Sequence, residues 1–181
     1  MKGMVFTEFI DMVEDKFGLE VVDEIIMSSD LKTGGVYTAV GTYDHKELLT
    51  LVNKLSQKVN VSVSVLLRTY GEELFKVFVT KYNPLFTRYD NTLDFLEGVD
   101  QHIHVEVSKL YPDADLPKLV FDRTSKDSIT LIYESERKLS DFGIGLIYGC
   151  SKYFNEKITV DTEDKSGGKG HKIEITINVI R

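Results

Sequence analysis

The stretch Asp90–Pro112, DNTLDFLEGVDQHIHVEVSKLYP, is the segment around which the rest of the chain can be arranged. At about 100° per residue, its apolar residues fall on one side of a helix, with His104 at the margin of that stripe. His102 points the opposite way, toward the expected solvated face. The stripe comprises Leu93, Leu96, Val99, Ile103, Val107, Leu110 and Tyr111. A histidine beside an apolar stripe is more often a hydrogen-bonded core residue than a metal ligand, so this helix alone leaves both roles open.

A second motif, Tyr133-Glu-Ser-Glu-Arg137, follows in a run that is typical of a β-strand. Side chains alternate between the two faces of a strand, so Tyr133, Ser135 and Arg137 are expected to share one face. They would span roughly 13 Å at about 3.3 Å per residue. That spacing suits a ligand with two carboxylates or phosphates, since arginine binds such groups bidentately. The solvent-facing side of an antiparallel strand explains the same alternation.

These features together resemble the heme nitric oxide/oxygen binding (H-NOX) family, which includes the sensor domain of soluble guanylate cyclase and its bacterial relatives. The resemblance covers the whole chain. Its motifs are the start Met1-Lys2-Gly3, the helix ending His104-x6-Tyr111-Pro112, the Tyr-x-Ser-x-Arg triplet and the segment Asp141-Phe-Gly-Ile-Gly-Leu-Ile147.

The resemblance implies one non-covalently bound protoheme (heme b) per chain, with its iron ligated by His104. It also implies that Tyr133, Ser135 and Arg137 hold the heme propionates. By register from His104, Pro117 would contact the porphyrin from the proximal side, although a proline that opens a strand fits this position equally. No Cys-x-x-Cys-His motif for covalent attachment occurs.

The same resemblance implies which gas is bound. Oxygen-binding relatives carry a tyrosine, a tryptophan and an asparagine where this chain has Phe142, Phe9 and Leu74. Bound dioxygen needs a hydrogen-bond donor, whereas nitric oxide does not, so we expect nitric oxide and carbon monoxide to bind and oxygen to be rejected. Helical spacing turns Tyr70 and Tyr148 away from this pocket. The expected apolar wall is Val5, Phe9, Leu74, Phe78, Phe142 and Leu146.

Composition bounds the remaining possibilities. The chain has 181 residues, 42% of them hydrophobic, which suits a single domain over residues 1–181. A net charge of −7 argues against nucleic acid as a partner. We expect no membrane span, because no apolar run approaches about 20 residues. The single Cys150 excludes an internal disulfide, and the N-terminus lacks a signal-peptide pattern, so we expect a cytoplasmic protein.

The periodicity along the chain predicts an α+β fold, with a mainly helical N-terminal part packed on a C-terminal four-stranded antiparallel sheet with helices. By the resemblance, the heme lies between a distal part, about residues 1–65, and a proximal part, about 66–181. Asp44 and Glu47 match a capping box, and His45 is expected at the surface. Gly143, Gly145 and Gly149 suggest close approach to something flat, or a helix–sheet contact. Helices are expected over 3–17, 21–27, 47–58, 61–82 and 141–155, a loop or single turn over 83–89, and strands over 116–123, 128–135, 157–163 and 172–180.

The sequence lacks the Gly-x-Ser-x-Gly and phosphate-loop motifs of common enzyme classes, so we do not expect an enzyme. Two interpretations remain, a heme-based nitric oxide sensor and a heme-free protein-interaction module. In the first, nitric oxide bound opposite His104 weakens the iron–histidine bond, and the resulting change of conformation regulates a separate polypeptide. Bacterial relatives without a fused output domain act on histidine kinases or cyclic-di-GMP enzymes, which implies such a partner here.

Overall fold

The computed structural model describes residues 1–112 and 116–180, and for Leu110 and Thr124 only the backbone. The helices are α1 (Gly3–Phe17), α2 (Leu19–Met27), α3 (His45–Val59), α4 (Val63–Lys81), α5 (Asn83–Phe86), α6 (Thr92–Gly98), α7 (His104–Leu110) and α8 (Ser140–Tyr153). The strands are β1 (Lys118–Ser125), β2 (Ser128–Glu134), β3 (Lys157–Asp164) and β4 (Lys172–Ile180). The α+β fold is therefore as predicted. None of these helices, in the part of the chain described, has the length and apolar character of a membrane span.

The N-terminal half is a helical layer whose core comes from one face of each helix. Phe6 and Phe9 of α1 and Leu51 and Leu55 of α3 are fully buried, as their spacing of three to four residues predicts. Gly18 ends α1 with a φ of 90°, a conformation that glycine adopts readily. The first residues are tied down, since the N–H of Gly3 donates to the carbonyl of Gly41 at 2.7 Å.

The start of α3 differs in detail from the predicted capping box. Asp44 is the N-cap, but its carboxylate accepts from the N–H of Lys46 at 3.0 Å. Glu47 is buried and its carboxylate accepts from the hydroxyl groups of Thr33 at 2.5 Å and Tyr37 at 2.8 Å. The capping prediction is wrong for Glu47, because its carboxylate forms hydrogen bonds with the preceding loop instead of with the N-terminus of α3.

The predicted histidine helix is interrupted. A π-helical segment, Val99–Ile103, separates α6 from α7, and the N–H of His104 donates to the carbonyl of Val99. An i→i+5 hydrogen bond accommodates an extra residue within the turn. The constant rotation of 100° per residue that was used to predict the apolar stripe is therefore wrong across this segment. A loop or a single turn was predicted for residues 83–89, and the structure has the single turn α5 there.

The sheet is antiparallel with the strand order β1-β2-β4-β3. Its inner face carries the fully buried Ile129, Ile175 and Ile177, which pack beneath α6 and α8. One group of buried side chains extends from α1 to the middle of α4, and a second extends from Phe75 to the sheet. The two groups meet within α4, and the predicted boundary near residue 65 stays a prediction.

Glycines allow α4 and α8 to pack closely. A β-carbon at Gly71 would meet the carbonyl oxygen of Phe142, one at Gly145 would meet that of Arg68, and one at Gly149 would lie 2.5 Å from Cβ of Phe75. The expectation that the α8 glycines face a flat group or the sheet is therefore wrong for Gly145 and Gly149, which face α4. Gly143 differs, because a β-carbon there meets nothing within 4 Å.

Candidate cofactor-binding cavity

A cavity of about 330 Å³ lies between the helical layer and the sheet. Its size falls within the range of about 300–1,000 Å³ that is usual for small-molecule sites. The wall is mainly apolar and draws on α1, α4, the π-helical segment, α7, the sheet and α8. Lining residues include Met1, Lys2, Val5, Leu74, Phe78, Tyr82, Ile103, His104, Tyr111, Pro117, Tyr133, Ser135, Arg137, Phe142, Gly143 and Leu146.

His104 lies in this wall at the first position of α7, with 18% of its side chain exposed. Its Nδ1 lies 3.4 Å from a carboxylate oxygen of Asp100. Burial lowers the pKa of His104, and the hydrogen bond with Asp100 opposes that shift. A neutral imidazole with Nδ1 directed at a carboxylate presents Nε2 to a metal.

Asp100 was missed by the sequence analysis. It precedes His104 by four residues, and an aspartate at that helical distance can reach a histidine side chain. His102 is exposed, as predicted, and its Nδ1 lies 3.1 Å from the Tyr89 hydroxyl. The contrast between the two histidines favours His104 as the candidate ligand.

The structure brings Tyr133, Ser135 and Arg137 to the same wall, but not as one extended strand. β2 ends at Glu134, and Ser135–Lys138 forms a turn in which the N–H of Lys138 donates to the carbonyl of Ser135 at 3.2 Å. The N–H of Arg137 also donates to the Ser135 hydroxyl, at 3.3 Å. The predicted strand geometry and its span are therefore wrong for Ser135 and Arg137. The turn gathers the polar groups at one edge of the cavity.

The surroundings of this edge are charged. His45 lies at the surface, as predicted, with 27% of its side chain exposed. Its partial burial lowers its pKa. Asp44 opposes that shift, whereas Arg137 and the N-terminal ammonium add to it. Tyr133 is buried, which raises its pKa. Cationic groups from the N-terminus and from the turn after β2 thus influence the same region.

Five of the six residues of the predicted apolar wall line the cavity. They are Val5, Leu74, Phe78, Phe142 and Leu146.

Phe9 lies elsewhere, in the helical core, with its ring centroid 5.3 Å from that of Tyr70. The structure thus does not bring Phe9 to the cavity. Tyr70 is fully buried and its hydroxyl donates to the carbonyl of Val5. Tyr70 and Tyr148 are not among the described lining residues, in agreement with their expected directions.

Several lining residues had no signal in helical periodicity. Tyr82 follows α4, and its hydroxyl oxygen lies 3.3 Å from that of Tyr111 at the end of α7. This hydrogen bond raises the pKa of Tyr82 to about 12. Lys2 also reaches the cavity from the N-terminal segment. Cys150 lines it as a fully buried thiol, whose pKa is raised by burial.

Pro117 directly precedes β1, as predicted for a proline that opens a strand, and it lines the same cavity as His104. Its contact with a porphyrin stays a prediction. Pro117 also borders a shallower cleft of about 480 Å³ on the outer side of His104. The cleft is open to solvent, so the enclosed cavity is the better candidate for a cofactor site. These residues fit a flat apolar cofactor that carries acidic groups and binds through one axial ligand. The fold and the cavity thus define a class of protein, an α+β domain with an internal, mainly apolar cavity that is lined by a histidine and a polar turn.

Comparison with known proteins identifies the family. Residues 2–162 match the Haem-NO-binding (HNOB) family, and the chain belongs to this family of heme-based gas sensors, the H-NOX proteins. The Fe(II) unliganded H-NOX protein from K. algicida is 42% identical, with a TM-score of 0.95 over 100% of this chain and 97% of that chain. No curated protein matches the sequence.

Two further structures represent liganded states. The H-NOX protein from S. oneidensis in the Fe(II)NO state is 25% identical, with a TM-score of 0.91 over 100% of both chains. The IWP-051-bound H-NOX from Shewanella woodyi in the Fe(II)CO state is 39% identical, with a TM-score of 0.83 over 98% of this chain and 94% of that chain. The fold is therefore shared with H-NOX proteins in several ligation states.

Proposed function

We propose that this protein is a heme-based nitric oxide sensor that also binds carbon monoxide and does not bind oxygen. The observation that supports this most is the convergence of His104, the Tyr133–Arg137 turn and an apolar wall on one cavity. H-NOX proteins act as sensors, and we propose that this chain likewise signals without catalysing a reaction.

Each part of the cavity has a role in this proposal. One non-covalent protoheme per chain would supply the ferrous iron at which a diatomic gas binds. His104 would coordinate that iron through Nε2, with Asp100 holding the imidazole. Tyr133, Ser135 and Arg137 would hold the propionates, and Pro117 would press on the proximal face.

The choice of gas follows from the chemistry of the distal wall. Its proposed members, Val5, Leu74, Phe78, Phe142 and Leu146, offer no side-chain donor. Tyr70 packs against Phe142, and its hydroxyl donates to the carbonyl of Val5. Oxygen binding depends on such a donor, whereas nitric oxide and carbon monoxide bind without it.

Output would pass to a separate protein. Weakening of the bond between His104 and the iron would release α7, which joins the rest of the chain through the π-helical segment. The position of α7 would then differ between the protein with and without bound nitric oxide, and a partner could distinguish these two conformations. By analogy with bacterial relatives, we propose a histidine kinase or a cyclic-di-GMP enzyme as that partner.

The test is a visible absorption spectrum of the purified protein, followed by exposure to each gas. We expect stoichiometric heme, a five-coordinate ferrous spectrum that persists in air long enough to record, and a five-coordinate nitrosyl after addition of nitric oxide. A colourless protein that takes up no hemin would favour the heme-free interaction module instead. A stable oxy complex would contradict the proposed selectivity.

A further inference from the structure

Two cationic side chains from distant parts of the sequence line the cavity. Arg137 follows β2, and Lys2 precedes α1. We propose that Lys2 is a second carboxylate-binding residue, which pairs with the heme propionate that Arg137 does not bind. This inference rests on the proposed function and extends it to a residue outside the Tyr-x-Ser-x-Arg triplet.

The position of Lys2 is built into the fold. Its backbone forms a bridge with Thr42, and its ammonium group donates to the Thr42 hydroxyl at 2.9 Å. The neighbouring N-terminal ammonium donates to the carbonyl of Tyr43 at 2.8 Å. A β-carbon at Gly3 would collide with the carbonyl of Thr38, so the chain runs close against this loop. The N-terminal segment therefore presents Lys2 from a defined place.

A second contact directs Lys2 toward the cavity. Its Nζ lies 5.2 Å from the ring centroid of Tyr111, a distance at which a cation is attracted to an aromatic face. Tyr111 also lines the cavity, and its hydroxyl pairs with that of Tyr82. Lys2 is thus positioned between the loop that contains Thr42 and the end of α7.

A second cation would favour binding of a cofactor that carries two carboxylates. A carboxylate placed against an apolar wall without a partner is strongly disfavoured. Arg137 can pair with one carboxylate bidentately, whereas a lysine ammonium acts as a compact point charge. Two carboxylates held by Arg137 and Lys2 would set the rotation of the heme in its own plane, because the two residues hold it at different points.

Heme monomethyl esters test this assignment, since each of the two isomers retains one carboxylate. Transfer of ferric heme to excess apomyoglobin would be measured for wild type, Lys2→Met, Lys2→Arg and Arg137→Met. We expect Lys2→Met to lose protoheme about tenfold faster than wild type, with Lys2→Arg close to wild type. Lys32→Met is the matched control, because Lys32 lies at an exposed position in a loop. This variant should lose protoheme at the wild-type rate.

The two isomers distinguish a carboxylate contact from a general structural role. Lys2→Met should accelerate loss of one isomer only, and Arg137→Met should accelerate loss of the other. The proposal is overturned if both variants are sensitive to the same isomer, or if Lys2→Met affects both isomers equally or neither. A protein that takes up no heme at all would instead overturn the proposed function.

Discussion

His102 and His104 illustrate how surroundings decide the role of a residue. The two imidazoles are two positions apart, yet His102 is exposed beside Tyr89 and His104 lines an apolar cavity with Asp100 at its Nδ1. Burial lowers the pKa of His104, and the hydrogen bond with Asp100 opposes that shift. A lowered pKa favours the neutral imidazole that a metal ligand needs. Both residues are histidines, and their different surroundings make only His104 a candidate metal ligand.

We expect His104→Gly to lose the axial ligand and His102→Gly to retain it. Free imidazole should restore a histidine-like heme spectrum to the first variant, because deleting the side chain leaves space for the exogenous ligand. The measurement is the Soret spectrum of the ferrous protein with and without added imidazole. A requirement for imidazole by His102→Gly, and not by His104→Gly, would contradict the assignment.

A second prediction at this scale concerns the distal wall. Phe142→Tyr should place a donor in the cavity and produce a detectable oxy complex, whereas we expect none for wild type. Phe9→Tyr is the matched control, because Phe9 packs behind Tyr70 and does not line the cavity. Absorption spectra of the reduced proteins in air make the comparison. Absence of oxygen binding by Phe142→Tyr would show that a single donor is insufficient without supporting groups.

Among the elements, α4 and α8 form the tightest packed pair through their glycines. Gly71 and Gly145 have no side chain, so the two helix backbones lie close enough for each glycine to contact a carbonyl group of the other helix. Main-chain atoms therefore supply part of the van der Waals attraction between α4 and α8. The same pair carries Leu74, Phe78, Phe142 and Leu146 on the cavity side. The packing of α4 on α8 therefore sets the position of the distal wall.

Gly145→Ala should destabilise the protein by about 1–3 kcal/mol, because the new methyl group meets the carbonyl of Arg68 and the backbones must separate. Gly143→Ala is the control on the same helix, since its methyl group meets nothing within 4 Å. Its higher helix propensity should instead stabilise the protein by about 1 kcal/mol. Urea denaturation of the heme-free proteins, followed by circular dichroism, measures both. Equal stability of the two variants would contradict the close helix contact.

At the scale of the whole molecule, the cavity lies where the two groups of buried side chains meet. The helical group ends within α4, and the second group continues into the sheet. The lining comes from both, including Val5 of α1 and Tyr133 of β2. A cofactor bound there would contact both halves and support their relative position.

Removal of heme should therefore lower the melting temperature of the whole chain. A ligand that binds only the folded state stabilises it by about 4 kcal/mol at a thousand times its dissociation constant. Thermal unfolding would be compared for the heme-free protein, the heme complex and the complex with protoporphyrin IX. The iron-free porphyrin should restore part of the stability, because it retains the apolar and carboxylate contacts but not the bond to His104. Identical melting temperatures in all three states would contradict the proposed binding mode.

Local patterns in the sequence determined the α+β class, most element boundaries and the identity of the buried faces. The bounds of α1 were predicted because apolar spacing and Gly18 act locally, and β4 because alternation marks a half-buried strand. His104 could be separated from His102 by its side of the helix alone. These properties depend on neighbours within a few residues.

Only the tertiary structure decided what covers each buried face. The π-helical segment shifts the phase of the histidine helix through a backbone bond. The strand geometry of the triplet ends with β2 at Glu134, and the turn that follows closes at Lys138, whose φ is 55°. Phe9 and Phe142 look alike in periodicity, yet Phe9 is fully buried in the helical core, whereas Phe142 packs against that core and also lines the cavity. Periodicity reports that a side chain is buried, whereas its partner depends on contacts between segments distant in sequence. Lys2 reaches the cavity for the same reason, because a bridge to Thr42 places the N-terminus there.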